Sequence, residues 1–263
     1  MGVMYRHELK SNWKSLLIWA VCVGSMGLVC ILLFSSVQES MAGMAESFAS
    51  MGAFSDAFGM RQLSIATLPG FYATEVGTIH ELGGGMFAAI MGVGMLSKEE
   101  DRHTSEFLFS LPIARSKVIQ AKWWAVVTLI LLFNLICIGL YGLGFLGLGE
   151  HIPAKEFLLY HGMQVFMQIE IGAICYALSA WMKKNQLGLG LGIVLLLYGY
   201  DLMTRVIPDL SDYRVISPFS YANAADVFSS GTVAGTPVVI GAVVLVVSIW
   251  LAHVVYGRRD LAA

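Results

Sequence analysis

The chain has 263 residues, of which 57% are hydrophobic and only 13% are charged, and its mean hydropathy is +0.72. This balance excludes an ordinary soluble globular domain, in which about a quarter of the residues are charged. The net charge of −2 argues against a nucleic-acid partner, because contact with phosphate backbones needs a strongly basic surface. We therefore expect a protein embedded in membrane lipid.

Apolar segments separated by charged or loop-forming residues predict six transmembrane helices. A hydrocarbon core about 30 Å thick needs about 20 mostly apolar residues for each crossing. The predicted spans are residues 16–34, 79–96, 123–146, 158–182, 187–205 and 237–256. They leave little chain for a separate soluble domain, so the sequence predicts an all-α membrane protein with a single transmembrane domain over residues 1–263.

The segment before the first span, residues 1–14, has the pattern of an amphipathic helix lying on the membrane surface. Its apolar side chains, Tyr5, Leu9 and Trp13, are continued by Leu16, and its basic ones are Arg6, Lys10 and Lys14. A frayed tail with an aromatic anchor is the alternative for so short a segment. The first span has 19 residues, more than the about 7–15 apolar residues of a cleaved signal peptide.

The second span is the shortest apolar run, with 14 apolar or glycine residues from Gly83 to Leu96. Crossing the membrane therefore requires His80 and Glu81 to belong to the helix. We expect both to lie near its outer end, where a charge costs less than at the midplane.

The loop of residues 97–122 is the one long charged segment between apolar runs. A helix is expected from Thr104, whose hydroxyl can cap it, to a point before Pro112. Phe107, Leu108 and Leu111 would give this short helix an apolar side flanked by charge. Such a helix fits a groove on a partner protein. A solvated loop with its apolar residues on the membrane surface is the open alternative.

The fourth span carries four polar side chains at membrane depth, namely His161, Gln164, Gln168 and Glu170. Intramembrane carboxylates are costly and commonly functional, so these residues are a candidate wall of a transport pathway. Hydrogen bonding between helices of the bundle is the equally weighted alternative.

The fifth span ends with Asp201 and Arg205, which lie four residues apart on one helical face and are expected to pair. Gly188 and Gly192 form a GxxxG pattern in the same span, which predicts close packing with another helix.

Lysine and arginine concentrate on one predicted side of the membrane. The two chain ends, the 97–122 loop and the Lys183–Lys184 pair hold 12 of the 16 basic residues, and the other loops hold four. Because cytoplasmic loops carry the excess of positive charge, both termini and the 97–122 loop are expected to be cytoplasmic.

Two kinds of site are excluded by their motifs. The sequence has no GxxxxGK[ST] phosphate loop, so the chain should not bind ATP in that way. The four cysteines show no Cys/His spacing typical of a metal site.

The 97–122 loop resembles the signature of ABC-2 type transporter permeases, in which it joins the second and third of six membrane helices. The matching residues are Thr104, Glu106, Leu108, Ser110, Leu111, Pro112, Ile113, Arg115 and Lys122. Residues 216–219 also resemble the family's outer segment before its last helix. One departure is His103, where the family commonly has glycine.

This resemblance implies a non-catalytic permease subunit of an ATP-driven transporter, expected to be an exporter in a bacterial cell membrane. ATP and Mg²⁺ would be bound by a separate cytoplasmic ATP-binding cassette subunit. The permease would pair with itself or with a related permease. The coupling contacts would be Glu99, Glu100, Arg102, Thr104, Glu106, Phe107, Leu108, Leu111, Pro112 and Arg115. The alternative from the residues alone is an ion-coupled secondary transporter in which Glu170 carries a proton.

Overall fold

The computed structural model of the chain describes residues 1–104 and 113–259, and within these ranges it is helical and has no strand. The helices are α1 (Gly2–Ala49), α2 (Ala53–Phe58), α3 (Leu68–Phe71), α4 (Gly77–Val93), α5 (Lys98–Asp101), α6 (Arg115–Leu148), α7 (Ala154–Ser179), α8 (Leu187–Val206), α9 (Ala224–Ser230) and α10 (Gly235–Arg258). A π-helical turn, Tyr72–Val76, joins α3 to α4, and a 3-10 segment, Pro208–Ile216, follows α8. The all-α prediction is confirmed.

Five helical runs of the described chain are long and apolar enough to cross a membrane, namely α1, Leu68–Val93, α6, α8 and α10. The predicted fourth span is helical as well, as α7, but it is not among these five. Its histidine, amide and carboxyl side chains lower its hydropathy. α7 packs against α4, α6 and α10, and a helix enclosed in this way tolerates polar side chains better than one facing lipid.

α1 is one unbroken helix of 48 residues, so the predicted arm is its first part and not a separate helix. No glycine or proline occurs between Gly2 and Gly24 to end it. The expected basic stripe is exposed. Of the apolar side, Tyr5 contacts α6, where its hydroxyl lies 2.9 Å from Thr128 Oγ1, and Leu16 is buried, whereas Trp13 is 50% exposed. That the first turns lie on a membrane surface stays a prediction.

The second span begins farther out than the sequence indicated. The Thr67 hydroxyl accepts a hydrogen bond from the Gly70 amide at 3.3 Å, and it thereby caps a helical run that starts at Leu68. His80 is therefore about three turns inside the run. His80 and Glu81 are 0% and 2% exposed, so the expectation that they lie near the end of the span was wrong.

Glycine allows α4 to approach α7 closely. A Cβ added to Gly92 would lie 2.5 Å from the Gly172 carbonyl oxygen, and one added to Gly84 would lie 2.2 Å from Gln168 Nε2. Gly188 and Gly192 on α8 differ, because an added Cβ would meet no described atom within 4 Å. Their predicted close packing is therefore not made within the described chain.

The two chain ends and the start of the charged loop meet at one end of the bundle. Lys98 pairs with Glu8, and Arg115 Nη1 donates to the Arg259 carbonyl oxygen at 2.6 Å. We call this the terminal end. The opposite end, formed by α2, Pro208–Ile216 and α9, is called the far end.

Candidate functional site

An ion-pair cluster at the terminal end is centred on Lys122 of α6, whose side chain is fully buried. Its Nζ donates to the Met95 carbonyl oxygen at 2.7 Å and to Glu99 Oε1 at 2.5 Å, and it lies 3.3 Å from Glu8 Oε1. Lys98 pairs with the other carboxylate oxygen of Glu8. One ammonium group thus connects α1, α6 and the segment that follows α4.

The Lys122 cluster combines two ammonium groups with two carboxylates, as buried charges require. Burial, and then the neighbouring Lys122 ammonium, lower the pKa of Lys98 below its ordinary value, while Glu8 opposes this shift. Removing any one charge would leave another without compensation. The cluster therefore fixes the start of the 97–122 loop to the first turns of α1.

Arg259 forms a second connection at the terminal end. Its guanidinium donates to Glu100 Oε2 at 2.5 Å and to the carbonyl oxygens of Ala180 and Met182, each at 2.8 Å. These bonds fasten the segment after α10 to the end of α7 and to α5. Both ends of the chain are thus bonded to the beginning of the charged loop.

The structure describes half of the predicted coupling residues. Glu106, Phe107, Leu108, Leu111 and Pro112 lie outside the described residues. Glu99 and Glu100 point into the two ion-pair networks and not into solvent, whereas Arg102 and Thr104 are exposed. Arg115, at the start of α6, bonds to the segment after α10. Whether these residues contact a partner stays a prediction.

His103 has a positive φ of 54°, in the left-handed region that glycine adopts more readily than other residues. This is the position where the sequence departs from the resembling signature. The turn therefore keeps the conformation that glycine favours, although histidine occupies it.

A groove of about 570 Å³ lies beside the Lys122 cluster, between the first turns of α1 and the charged loop. Its described lining includes the apolar residues Met1, Met4 and Ile113 and the charged residues Arg102 and Lys117. The lining also carries the acidic residues Glu8 and Glu99. This mixture of apolar side chains and charges of both signs is suited to contact with another protein.

The four candidate pathway residues lie inside the bundle, and each is hydrogen-bonded. His161 Nε2 is 2.8 Å from the Tyr72 hydroxyl, and Gln164 Nε2 donates to the Ala222 carbonyl oxygen at 2.7 Å. The two remaining residues complete the set: Gln168 Oε1 accepts from Asn134 Nδ2 at 2.6 Å, and Glu170 accepts from the Tyr221 hydroxyl. These bonds support the role in helix packing, and the pathway role stays a prediction.

A chain of buried polar groups crosses three helices at this level, and the sequence did not reveal it. His80 of α4 lies 3.1 Å from the Tyr141 hydroxyl and 3.0 Å from Asn134 Oδ1, and Asn134 continues to Gln168. The available signal was Asn134, which is the only amide side chain in the third span. Within the described residues, no three His, Cys, Asp or Glu side chains converge as metal ligands.

Comparison with known proteins agrees with this architecture. The family described as ABC-2 family transporter protein matches residues 3–261. The chain is also 25% identical over 208 residues to uncharacterized protein YhcI of Bacillus subtilis (strain 168). That alignment covers 68% of this chain, and the chain spans 64% of the length of the relative.

Proposed function

The chain belongs to the ABC-2 family of transporter proteins, and we propose that it is the permease subunit of an ATP-driven exporter. It is a multi-pass membrane protein whose family normally works with an ATP-binding subunit. ATP and Mg²⁺ would bind to that separate cytoplasmic subunit, and this chain would supply the membrane pathway.

The Lys122 cluster is the observation that carries the coupling role. A loop that transmits a partner's movement must be attached rigidly to membrane helices. Glu99 and Lys98, at the start of the loop, bond to the buried Lys122 and to Glu8 of α1. A displacement of the loop by the partner would therefore move α1 and α6 together.

We further propose six spans, with α7 as the enclosed one, and a cytoplasmic terminal end. The excess of basic residues supports this orientation. The orientation also requires both termini and the start of the loop to lie at one end of the bundle, as they do. The exposed apolar sides of α8 and α10 would contact lipid or a second permease, whether identical or related.

The coupling proposal is tested by Phe107→Asp or Leu108→Asp, which place a charge on the predicted apolar side of the coupling helix. We expect loss of ATP-driven transport in vesicles and loss of co-purification with the ATP-binding subunit. Met44→Asp is the control, since Met44 is 44% exposed near the C-terminal end of α1 and lies outside the predicted coupling loop. Unchanged transport and co-purification in the loop variants would refute the assignment.

The alternative function, ion-coupled secondary transport, depends on Glu170. This carboxyl is 2% exposed, and its Oε2 accepts from the Tyr221 hydroxyl, so a proton would have to be exchanged at the other oxygen, Oε1, or displace that bond. If Glu170→Gln abolishes a proton-driven activity in vesicles without ATP, the secondary transporter is the correct function. If wild-type vesicles transport substrate only when the ATP-binding subunit and ATP are present, the ATP-driven permease is the correct function.

A further inference from the structure

A cavity of about 460 Å³ opens at the far end, where α2 meets the last turn of α8 and the start of α9. This volume lies within the range of about 300–1,000 Å³ that is typical of small-molecule sites. Its lining carries both signs of charge, from Arg61, Arg205, Arg214, Asp56 and Asp226. None of these residues belongs to the Lys122 cluster or to the buried polar chain.

The acidic groups around this cavity already have basic partners. Asp56 lies 3.3 Å from Arg61, and Asp226 lies 2.6 Å from Arg214. Asp201, behind the cavity wall, pairs with Arg205 and lies 3.5 Å from Arg214. The carboxylates therefore do not need a cation from solution.

Two hydrogen-bond donors of the cavity wall have neither a hydrogen-bond nor an ion-pair partner among the described residues, whereas Arg214 Nε, which also lacks a hydrogen bond, lies 3.5 Å from Asp201. The Arg205 side chain is 9% exposed, and it donates through Nη1 to the Ala57 carbonyl oxygen at 3.1 Å and through Nη2 to Asp201, which leaves its Nε–H unbonded. The hydroxyl of Ser55, a fully buried residue, is unbonded as well. A buried donor without an acceptor is unfavourable, so these two groups indicate a ligand that offers acceptor oxygens.

Charge alone does not select this ligand. The three arginines, Arg61, Arg205 and Arg214, are matched by the carboxylates of Asp56, Asp201 and Asp226, so they carry no surplus of positive charge. The ligand must therefore be recognised through hydrogen bonds donated by Arg205, Ser55 and the half-exposed Arg61.

We propose that the far-end cavity binds a phosphate group. The three donor residues line the cavity from α8, from α2 and from the loop after α2, so the acceptors of a bound group must point in several directions. A tetrahedral phosphate offers oxygens in this way, whereas the two oxygens of a carboxylate share one plane. Guanidinium groups also form strong, directional hydrogen bonds to phosphate.

Phosphate can reach this cavity from a membrane lipid or from solution. The surroundings favour the lipid, because Met203 and Ile207 of the same helix end are 57% and 37% exposed, and Phe54, next to Ser55, is 45% exposed. These apolar side chains offer contacts for acyl chains beside a bound head group.

The test uses the full-length protein in a sugar-based detergent and follows its thermal unfolding during titration with three probes. These are inorganic phosphate, a short-chain phosphatidic acid, and a diacylglycerol with the same acyl chains. We expect phosphatidic acid to raise the unfolding temperature and diacylglycerol to have no effect. A response to inorganic phosphate as well would identify the phosphate alone as sufficient, and both results support the proposal. No response to either phosphate compound would overturn it.

Two mild substitutions test whether phosphate binds in the far-end cavity. Ser55→Ala removes an unbonded hydroxyl and should weaken binding about threefold to tenfold, and Arg61→Gln, at a side chain 54% exposed, should weaken it about tenfold or more. Ser50→Ala is the matched control, because the Ser50 hydroxyl bonds to Ser47 and Ser50 does not line the cavity. Wild-type affinity in both cavity variants would contradict the proposed site.

Discussion

Replacement of Lys122 by methionine tests the terminal-end cluster most directly. Methionine keeps most of the side-chain length but removes the ammonium group that serves Glu99, Glu8 and the Met95 carbonyl oxygen. Breaking a buried ion pair by removing one partner costs about 3–5 kcal/mol. For a chain of this size we therefore expect the unfolding temperature to fall by about 6–20 °C.

A second substitution separates charge from packing. Glu99→Gln in the Lys122→Met background removes the carboxylate that has lost its partner and leaves the Glu8–Lys98 pair balanced. The double variant should then be more stable than the sum of the single effects predicts, with a coupling free energy of at least about 1 kcal/mol. Full additivity would mean that the two charges do not interact as described.

The assay is thermal unfolding of the purified protein in detergent, at one scan rate for all variants, because membrane proteins commonly unfold irreversibly. Lys117→Met is the matched control, since Lys117 lies on the same helix and is exposed. Its effect should stay within about 0.5 kcal/mol. If Lys122→Met shifts the unfolding temperature no more than Lys117→Met, the buried cluster does not stabilise the fold.

Three further substitutions extend the test to other contacts, with the same assay. Gly92→Val should destabilise by at least about 1–3 kcal/mol, because the new side chain meets the backbone of α7 at Gly172. Asn134→Leu removes a hydrogen-bond partner from both neighbours in the buried polar chain and should cost about 2–6 kcal/mol. Arg259→Gln frees one carboxylate and two carbonyl oxygens at the terminal end and should cost about 1–3 kcal/mol.

Each of these changes has its own control or contrary outcome. Gly142→Ala is the control for Gly92, since an added Cβ there meets no described atom within 4 Å, and it should be neutral or stabilising by up to about 1 kcal/mol. Equal effects at both glycines would argue against close α4–α7 packing. A stable Asn134→Leu variant would mean that its neighbours find other partners. An Arg259→Gln variant with wild-type stability would show that the segment after α10 is not fastened by these bonds.

The helices and the Asp201–Arg205 pair were predictable because their signals are local. A hydrocarbon core imposes length and hydropathy on each crossing segment, and residues four apart in a helix are neighbours wherever the helix lies. The structure confirms this pair, and it adds Arg214 from the 3-10 segment as a further partner of Asp201. That addition depends on the tertiary fold, which the periodicity of one helix does not reveal.

The Lys122 cluster was not predicted, because its members are far apart in the sequence. Glu8 and Lys122 are brought together only when α1 packs along α6. A signal was present, since Glu8 lies three residues after Tyr5 and is therefore its neighbour beside the apolar side of the first turns. A single acid on a packing face indicates a buried basic partner, but the sequence does not identify which lysine.

The helices that contain the first two predicted spans extend past the predicted outer boundaries for a related reason. Hydropathy marks where a helix becomes too polar for lipid, whereas a helix continues until a residue ends it. α1 extends past Phe34 to Ala49, and the second run starts at Leu68 with a capping threonine. Both extensions place residues outside the apolar windows without interrupting the backbone hydrogen bonds.

The length of α1 has a mechanical consequence. Its 48 residues make a rod about 72 Å long if straight, which is more than twice the thickness of a hydrocarbon core. Glu8, near one tip, is held at the terminal end, and the other tip leads directly into α2, whose Ala57 carbonyl oxygen accepts from Arg205. A tilt imposed at one tip would therefore move the opposite tip, so a single helix could act as a lever between the two ends of the molecule.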